Sequence, residues 1–295
     1  TILRFKASAN KASMMQSMQK KLDAIEVIEL DPPPPTVKLS FPPTERPGRI
    51  VLDVKNVSKA FGQKVIFKDI SFAIERGQKM ALVAANGVGK TTLLTAIMGK
   101  TPIDSGDITL GYKVTPAWFE QDQEKSLDQR ATVLDEVENS CKTSETRARV
   151  RGMLGAFLFP GDDVHKRIGV LSGGEKNRVA MTKVLLAPAN FLVLDEPTNH
   201  LDLQSKEVLL SALQQYQGTM LLVSHDRSFL DAIASHIIEL TPTGARVYEG
   251  NYESYLYQKN CQPGSSVSAV VTQQNKPGVA LQIPEPGRGS EARDP

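Results

Sequence analysis

The nine residues Ala84-Ala85-Asn86-Gly87-Val88-Gly89-Lys90-Thr91-Thr92 carry the strongest chemical signal in the sequence. They follow the apolar run Met80 to Val83 and open a helical pattern. Glycines, a lysine and a hydroxyl at this spacing suit a phosphate-cradling loop of the form G-x-x-x-x-G-K-[ST]. In such a loop backbone N–H groups wrap the phosphates, the lysine reaches the β and γ groups, and the hydroxyl holds Mg²⁺. Asn86, Gly87, Val88, Gly89, Lys90, Thr91 and Thr92 are therefore the expected phosphate contacts, with Thr91 also at the metal. Ala84 departs from the pattern, standing where the first glycine belongs. Alanine tolerates positive φ poorly, so this departure bears on the geometry of the loop.

Phe191-Leu192-Val193-Leu194-Asp195-Glu196 offers carboxylates at the end of an apolar run. Mg²⁺ bound to a nucleotide takes a ligand there, which suits Asp195, and Glu196 is placed to polarise an attacking water. Alone, such a pair also fits an ordinary helix cap. Leu171-Ser172-Gly173-Gly174-Glu175 contains Ser-x-x-Glu, a capping box. Capping does not require two adjacent glycines, whereas bare N–H groups at Ser172, Gly173 and Gly174 would make an anion site at a helix start. His225 follows Met220 to Val223 through Ser224, Gln121 follows Ala117-Trp118-Phe119, and Phe61 precedes Gly62. Each of these three, taken singly, also fits a purely structural role.

These residues need elements to hold them. Met80 to Val83, Phe191 to Leu194 and Met220 to Val223 are apolar without alternation, as in strands buried on both faces. Each leads into small or polar residues and then a helical pattern, the rhythm of an α/β domain with a parallel sheet. Helical patterns at Val133 to Cys141 and Arg147 to Leu158 predict a helical subdomain from about Leu127 to Val170. Proline marks the limits of the folded part. Seven of the 18 prolines lie between Pro32 and Pro47 and five between Pro263 and Pro295, leaving six from Gly48 to Cys261. The first stretch predicts a stiff, extended connector, and the Gly-, Ser-, Pro- and Gln-rich segment from Gln262 a disordered tail. Upstream, Met15, Met18, Leu22 and Ile25 have helical spacing, and the first 22 residues carry five basic side chains and no acid. That segment fits a solvated helix or half of a helical hairpin; it also fits a basic helix reaching a phosphate backbone.

Bulk properties narrow the classes. Thirty-five Lys+Arg against 33 Asp+Glu give +2, too little to argue for nucleic-acid binding from overall charge. No apolar run approaches the ~18 residues of a membrane span, and no charged-then-apolar leader opens the chain, so neither span nor signal peptide is expected. Cys141 and Cys261 stand too far apart for the short-spaced zinc and redox motifs, and two free thiols fit a reducing cytosol. Thr1 in place of an initiating methionine points to a piece of a longer protein.

Together, Phe61, the phosphate loop, Gln121, Leu171 to Arg178, Asp195-Glu196 and His225 occur in the order and rough spacing of an ATP-binding cassette. Leu-Ser-Gly-Gly is diagnostic of that family. The chain further resembles the F subfamily, soluble tandem cassettes without membrane spans. The likeness is carried by Ser172-Gly173-Gly174-Glu175-Lys176-Asn177-Arg178, Asp195-Glu196-Pro197-Thr198-Asn199-His200-Leu201-Asp202, Phe159-Pro160-Gly161-Asp162-Asp163 and Gly250-Asn251-Tyr252-Glu253-Ser254-Tyr255. It spans roughly Ile2 to Lys259.

The resemblance implies an α/β P-loop NTPase cassette at residues 49–261, with a parallel-sheet nucleotide core, an antiparallel β part and a helical subdomain. Residues 1–31 would be a linker helix ending an interdomain linker, 32–48 the connector and 262–295 the tail. This would be the C-terminal cassette of a pair. ATP and Mg²⁺ are the implied ligands, with Phe61 against adenine and Thr91, Asp195 and Gln121 at the metal. Glu196 becomes the general base, His225 the γ-phosphate sensor, and Gln121 a neighbour of the attacking water. Ser172, Gly173 and Gly174 would face a nucleotide held by a second cassette, either a missing N-terminal half or another copy. The implied activity is Mg-dependent ATP hydrolysis in the cytoplasm, and the implied partner a ribosome or its RNA, reached through the linker helix. The alternative is the ATPase subunit of a membrane transporter. Such subunits seldom carry an N-terminal helix and proline connector, and usually have Gln where Glu175 stands. Chromosome and DNA-repair ATPases share the cassette, but only 82 positions separate Lys90 from Ser172, too few for their long coiled coil, and no CxxC pairs occur.

Overall fold

The computed structural model describes Leu39 and residues 41–261, apart from residue 122. The expected linker helix at 1–31, the connector as far as residue 38 and the tail at 262–295 lie outside the described residues.

Two sheets share one interior. The smaller is antiparallel, ordered β2-β1-β4, from β1 (Ile50–Phe61), β2 (Lys64–Glu75) and β4 (Ser105–Leu110). The larger contains β3 (Lys79–Val83), β5 (Pro116–Phe119), β6 (Phe191–Asp195), β7 (Thr219–Val223), β8 (His236–Thr241) and β9 (Gly244–Glu249). Its order is β5-β6-β7-β3-β8-β9, parallel except for β9.

Along the central strands successive side chains enter two different apolar layers. Ala81, Leu192, Leu194, Met220 and Leu222 belong to one; Met80, Leu82, Phe191, Val193, Leu221 and Val223 belong to the other. A strand with both faces buried has no position left for a polar residue, which is why these segments read as unbroken apolar runs. The second layer is shared with the antiparallel sheet and with α1 (Lys90–Ile97), through Leu52, Phe67, Leu93 and Leu94.

The first layer is closed by helices: α2 (Val133–Ser140), α3 (Ser144–Ala156) and α4 (Gly173–Leu186) contribute Val137, Leu154 and Val179. Helices and short 3-10 turns fill residues 127–170. Among the described residues the strand-like pairing there is confined to the isolated bridge Thr132–Arg167. The fold continues through α5 (Leu203–Gln215), α6 (Arg227–Ile233) and α7 (Tyr252–Cys261). Among the described residues no helix is long and apolar enough to cross a membrane.

Residues 41–48 form neither helix nor strand and are fastened to this body largely through main-chain carbonyls. Arg149 of α3 donates to the Phe41 carbonyl, Asn190 Nδ2 to that of Glu45 at 3.0 Å, and Arg76 to that of Pro47 at 2.7 Å. The Phe41 ring meets Tyr216, just past α5, edge to face at 5.4 Å.

Candidate nucleotide site

The phosphate loop joins β3 to α1, and its helix start differs from the others. Thr132, Thr143, Ser172, Asp202 and Asp226 cap α2 to α6 with a side-chain oxygen. At α1 the cap is Gly89, with no side-chain hydrogen bond and no acid in the first turn. The N–H groups there, at the positive end of the helix dipole, are thus left to an incoming anion.

Gly87 and Gly89 take φ angles of 82° and 92°, whereas Ala84 is not in the left-handed region. The loop reserves its strained backbone for the glycines it kept, so Ala84 brings no strain from φ. At Gly89 space is also short: a Cβ would stand 2.2 Å from Ile66 Cγ2 and 3.2 Å from the Phe67 ring. Gly89→Ala should therefore weaken nucleotide binding and cost about 1–2 kcal/mol from positive φ alone. Thermal unfolding should show a Tm lower by roughly 2–8 °C. An unchanged Tm with parental ATP affinity would contradict that reading. Lys90 Nζ donates to the Ala84 carbonyl at 3.3 Å, so its ammonium sits over the mouth of its own loop.

Parallel pairing brings the other residues to the same sheet edge. Leu194 pairs with Phe119 of β5, and Asp195 with Val223 of β7. Gln121, the Asp195-Glu196 pair and His225 therefore leave adjacent strands at their carboxyl ends, where open α/β sheets bind ligands.

Asp195 is 2% exposed and Glu196 7%. One oxygen of each, Asp195 Oδ2 and Glu196 Oε1, is buried without a hydrogen-bond partner among the described residues. Burial pushes the Asp195 carboxyl above its usual range; the Thr91 hydroxyl and Lys90 ammonium oppose that rise, while Glu196 and Glu120 add to it. Asp195 is thus within electrostatic reach of the phosphate-loop residues that the sequence pairs with it. Glu196 Oε2 accepts the His225 N–H at 3.1 Å, and His225 Nε2 lies 3.4 Å from Glu196 Oε1. The His225 side chain is itself 64% exposed. Gln121 is exposed at the turn after β5. Phe61 is 54% exposed where β1 turns into β2, with Lys59 Nζ 5.1 Å from its ring centre. Ile66 and Phe67 press on Gly89, so the hairpin bearing Phe61 borders the phosphate loop.

Ser172, Gly173 and Gly174 are placed differently. Ser172 and Glu175 form a complete capping box: the Ser172 N–H and hydroxyl both donate to Glu175 Oε2 at 2.8 Å, and Glu175 N–H donates to Ser172 Oγ at 3.3 Å. Among the described residues no hydrogen bond or ion pair joins this helix start to the phosphate loop. The two glycines separate here. A Cβ at Gly174 would lie 2.8 Å from the His200 carbonyl oxygen, whereas one at Gly173 would meet nothing within 4 Å. Helix packing accounts for Gly174 and leaves Gly173 without a local explanation. Sequence reasoning assigned no chemistry to Asn177 or Arg178, yet the structure buries both, Asn177 against the loop after β6 and Arg178 against Ser205 of α5.

Comparison with known proteins agrees with this geometry. A family model described as ABC transporter matches residues 67–199. The chain is 41% identical over 257 residues to "ABC transporter F family member 5" of Arabidopsis thaliana, covering 86% of this chain and 37% of that protein. It is 40% identical over 224 residues to the "Energy-dependent translational throttle protein EttA" of Escherichia coli (strain K12), covering 75% of this chain and 40% of that protein. Against the "Probable ATP-binding protein YbiT" of Escherichia coli O157:H7 the identity is 36% over 264 residues, with 88% and 49% covered. The chain thus spans less than half the length of each of these relatives. A solved structure, "Structure of ATP binding subunit of ABC transporter", superposes with a TM-score of 0.63 at 20% identity, covering 73% of this chain and 95% of that one. That likeness establishes the fold. With the phosphate loop, the buried carboxylate pair and the Leu171-Ser172-Gly173-Gly174 helix start in one domain, the chain belongs to the ATP-binding cassette family, with F-family proteins as its relatives.

Proposed function

We propose that this chain binds MgATP and hydrolyses it, and that it serves as one cassette of a two-cassette F-type ATPase. The supporting observation is the pair of buried carboxylates Asp195 and Glu196, each with one oxygen that accepts no hydrogen bond among the described residues, Asp195 lying within reach of Thr91 and Lys90 at the uncapped start of α1. A buried carboxylate oxygen without a donor is costly unless a cation or water meets it. A hard divalent ion takes oxygen ligands, so Thr91 and Asp195 suit Mg²⁺, with Gln121 nearby. When bound, Mg²⁺ supplies charge neutralisation on phosphate oxygens.

The chain's own residues supply the rest. Lys90 swings from the Ala84 carbonyl to the phosphates, and the N–H groups from Gly87 to Thr92 hold them. Phe61 stacks on adenine. Glu196 takes a proton from the attacking water, and His225, held to it through backbone and ring, reads the γ-phosphate. The Ser172-Gly173-Gly174 helix start completes the site of a second cassette. That cassette is either an N-terminal half preceding this chain or a second copy related by two-fold symmetry.

For the isolated chain this reading sets a concentration dependence. In the dilute limit the paired fraction grows in proportion to concentration, so tenfold dilution should lower specific ATPase activity about tenfold. Full activity in a verified monomer, unaffected by dilution or by Ser172→Arg, would exclude a composite site. The likeness to the translational throttle protein supports a role in translation, which we read as cytoplasmic and ribosome-directed. Gradient sedimentation tests it: migration with ribosomes supports that role, and copurification with an integral membrane protein opposes it.

A further inference from the structure

The loop carrying Glu196 has an unusual backbone. Glu196 and His200 take left-handed φ angles of 50° and 61°, and neither is glycine. Such conformations persist where surrounding contacts over-determine them. On one side, Glu196 N–H donates to the Val223 carbonyl at 2.9 Å. On the other, Asn199 N–H donates to the Glu196 carbonyl at 3.1 Å and closes the turn. Asn199 is in turn gripped from α4 at its other main-chain group: Asn177, 6% exposed, donates from Nδ2 to the Asn199 carbonyl at 2.8 Å. Arg178 continues the contact, donating to Ser205 Oγ at 2.8 Å and lying 3.7 Å from the Asp202 carboxylate. Gly174 approaches the His200 carbonyl so closely that no side chain fits between them. The first two turns of α4 thus form a wall against which the loop is set.

We infer that Asn177 is a positioning residue for the hydrolytic carboxylate: its amide holds the Asn199 carbonyl, and the N–H of the residue so fixed closes the left-handed turn that aims Glu196. This rests on Glu196 being the general base proposed above. A neutral amide suits the task because it donates to a carbonyl, whereas a carboxylate of the same shape only accepts. The Asn177 side-chain hydrogen bond is made to the loop after β6, so its loss should disturb the turn and leave nucleotide binding in place.

The test compares the full chain with Asn177→Ala and Asn177→Gln at a fixed protein concentration. ATP affinity, kcat and amide hydrogen exchange across residues 196–200 are measured for each. Asn177→Ala should lower kcat ~10-fold or more, since small misplacements of a catalytic group cost up to ~10²-fold. ATP affinity should stay at the parent value, and exchange at 196–200 should speed up while β6 and β7 remain protected. Asn177→Gln keeps the donor and should recover part of kcat. A parental kcat in Asn177→Ala, or a loss of ATP affinity matching the loss of kcat, overturns the positioning role. Equal hydrolysis by the parent and Glu196→Gln would instead sink the general-base reading. The exchange rates then decide by themselves whether Asn177 holds the turn, unchanged rates overturning it.

Discussion

Glu196→Gln should slow ATP hydrolysis by ~10²–10⁴ while ATP remains bound, the range expected when a general base is lost and little else. The substitution keeps the side chain's length and planarity. An amide oxygen can still accept the His225 N–H that Glu196 Oε2 accepts at 3.1 Å. The other oxygen, Oε1, which lies 3.4 Å from His225 Nε2 and accepts no hydrogen bond among the described residues, becomes an NH₂ group that cannot take a proton. Removing a buried charge beside Asp195 also relieves the repulsion that helps raise that carboxyl, so the metal ligand should not be weakened. Single-turnover hydrolysis and labelled-ATP retention are the measurements. Slow turnover with retained nucleotide, together with a larger paired fraction in sedimentation, is the expected result. Turnover at the parental rate would mean that another group activates the water.

Lys90→Ala should act at the opposite stage, on binding. A triphosphate in this loop loses a charge-assisted hydrogen bond worth roughly 1.5–3 kcal/mol. That corresponds to ATP binding weakened about ten- to 150-fold. The fold should hardly notice. In the structure the ammonium donates to the Ala84 carbonyl at 3.3 Å and lies within electrostatic reach of Asp195, and the side chain is not in the core. Equilibrium binding of a labelled nucleotide, with thermal unfolding alongside, separates these effects. A parental Tm with lost affinity supports the assignment, and unchanged affinity contradicts it.

The central sheet was legible because burial on both faces erases polar positions, leaving runs such as Phe191 to Leu194 that few other settings produce. The loop between β3 and α1 was legible for a different reason: its glycines and lysine have separate physical duties at fixed spacing. The antiparallel sheet was harder to read. Its β1–β2 pairing shifts register several times, with Asn56 and Asp69 in left-handed backbone, and this breaks the alternation a sequence pattern needs. Nor could proline content reveal that residues 41–48 lie on the cassette, since that segment is held largely by its carbonyls, which every residue type carries. The grip of Asn177 on Asn199 joins residues 22 positions apart through one backbone oxygen, a contact that residue types alone do not announce.

The different surroundings of Gly173 and Gly174 divide two neighbouring letters of one motif between two constituencies. Gly174 answers to its own chain: any side chain there collides with His200, so its replacement should register in the folding of an isolated cassette. Gly173 has open space around its Cα and an ordinary backbone, so its own chain would accept alanine there without complaint. Among the described residues nothing accounts for a bare position there. Position 173 is thus a place where a small label could be introduced to report the approach of another molecule, with the domain that carries it left undisturbed.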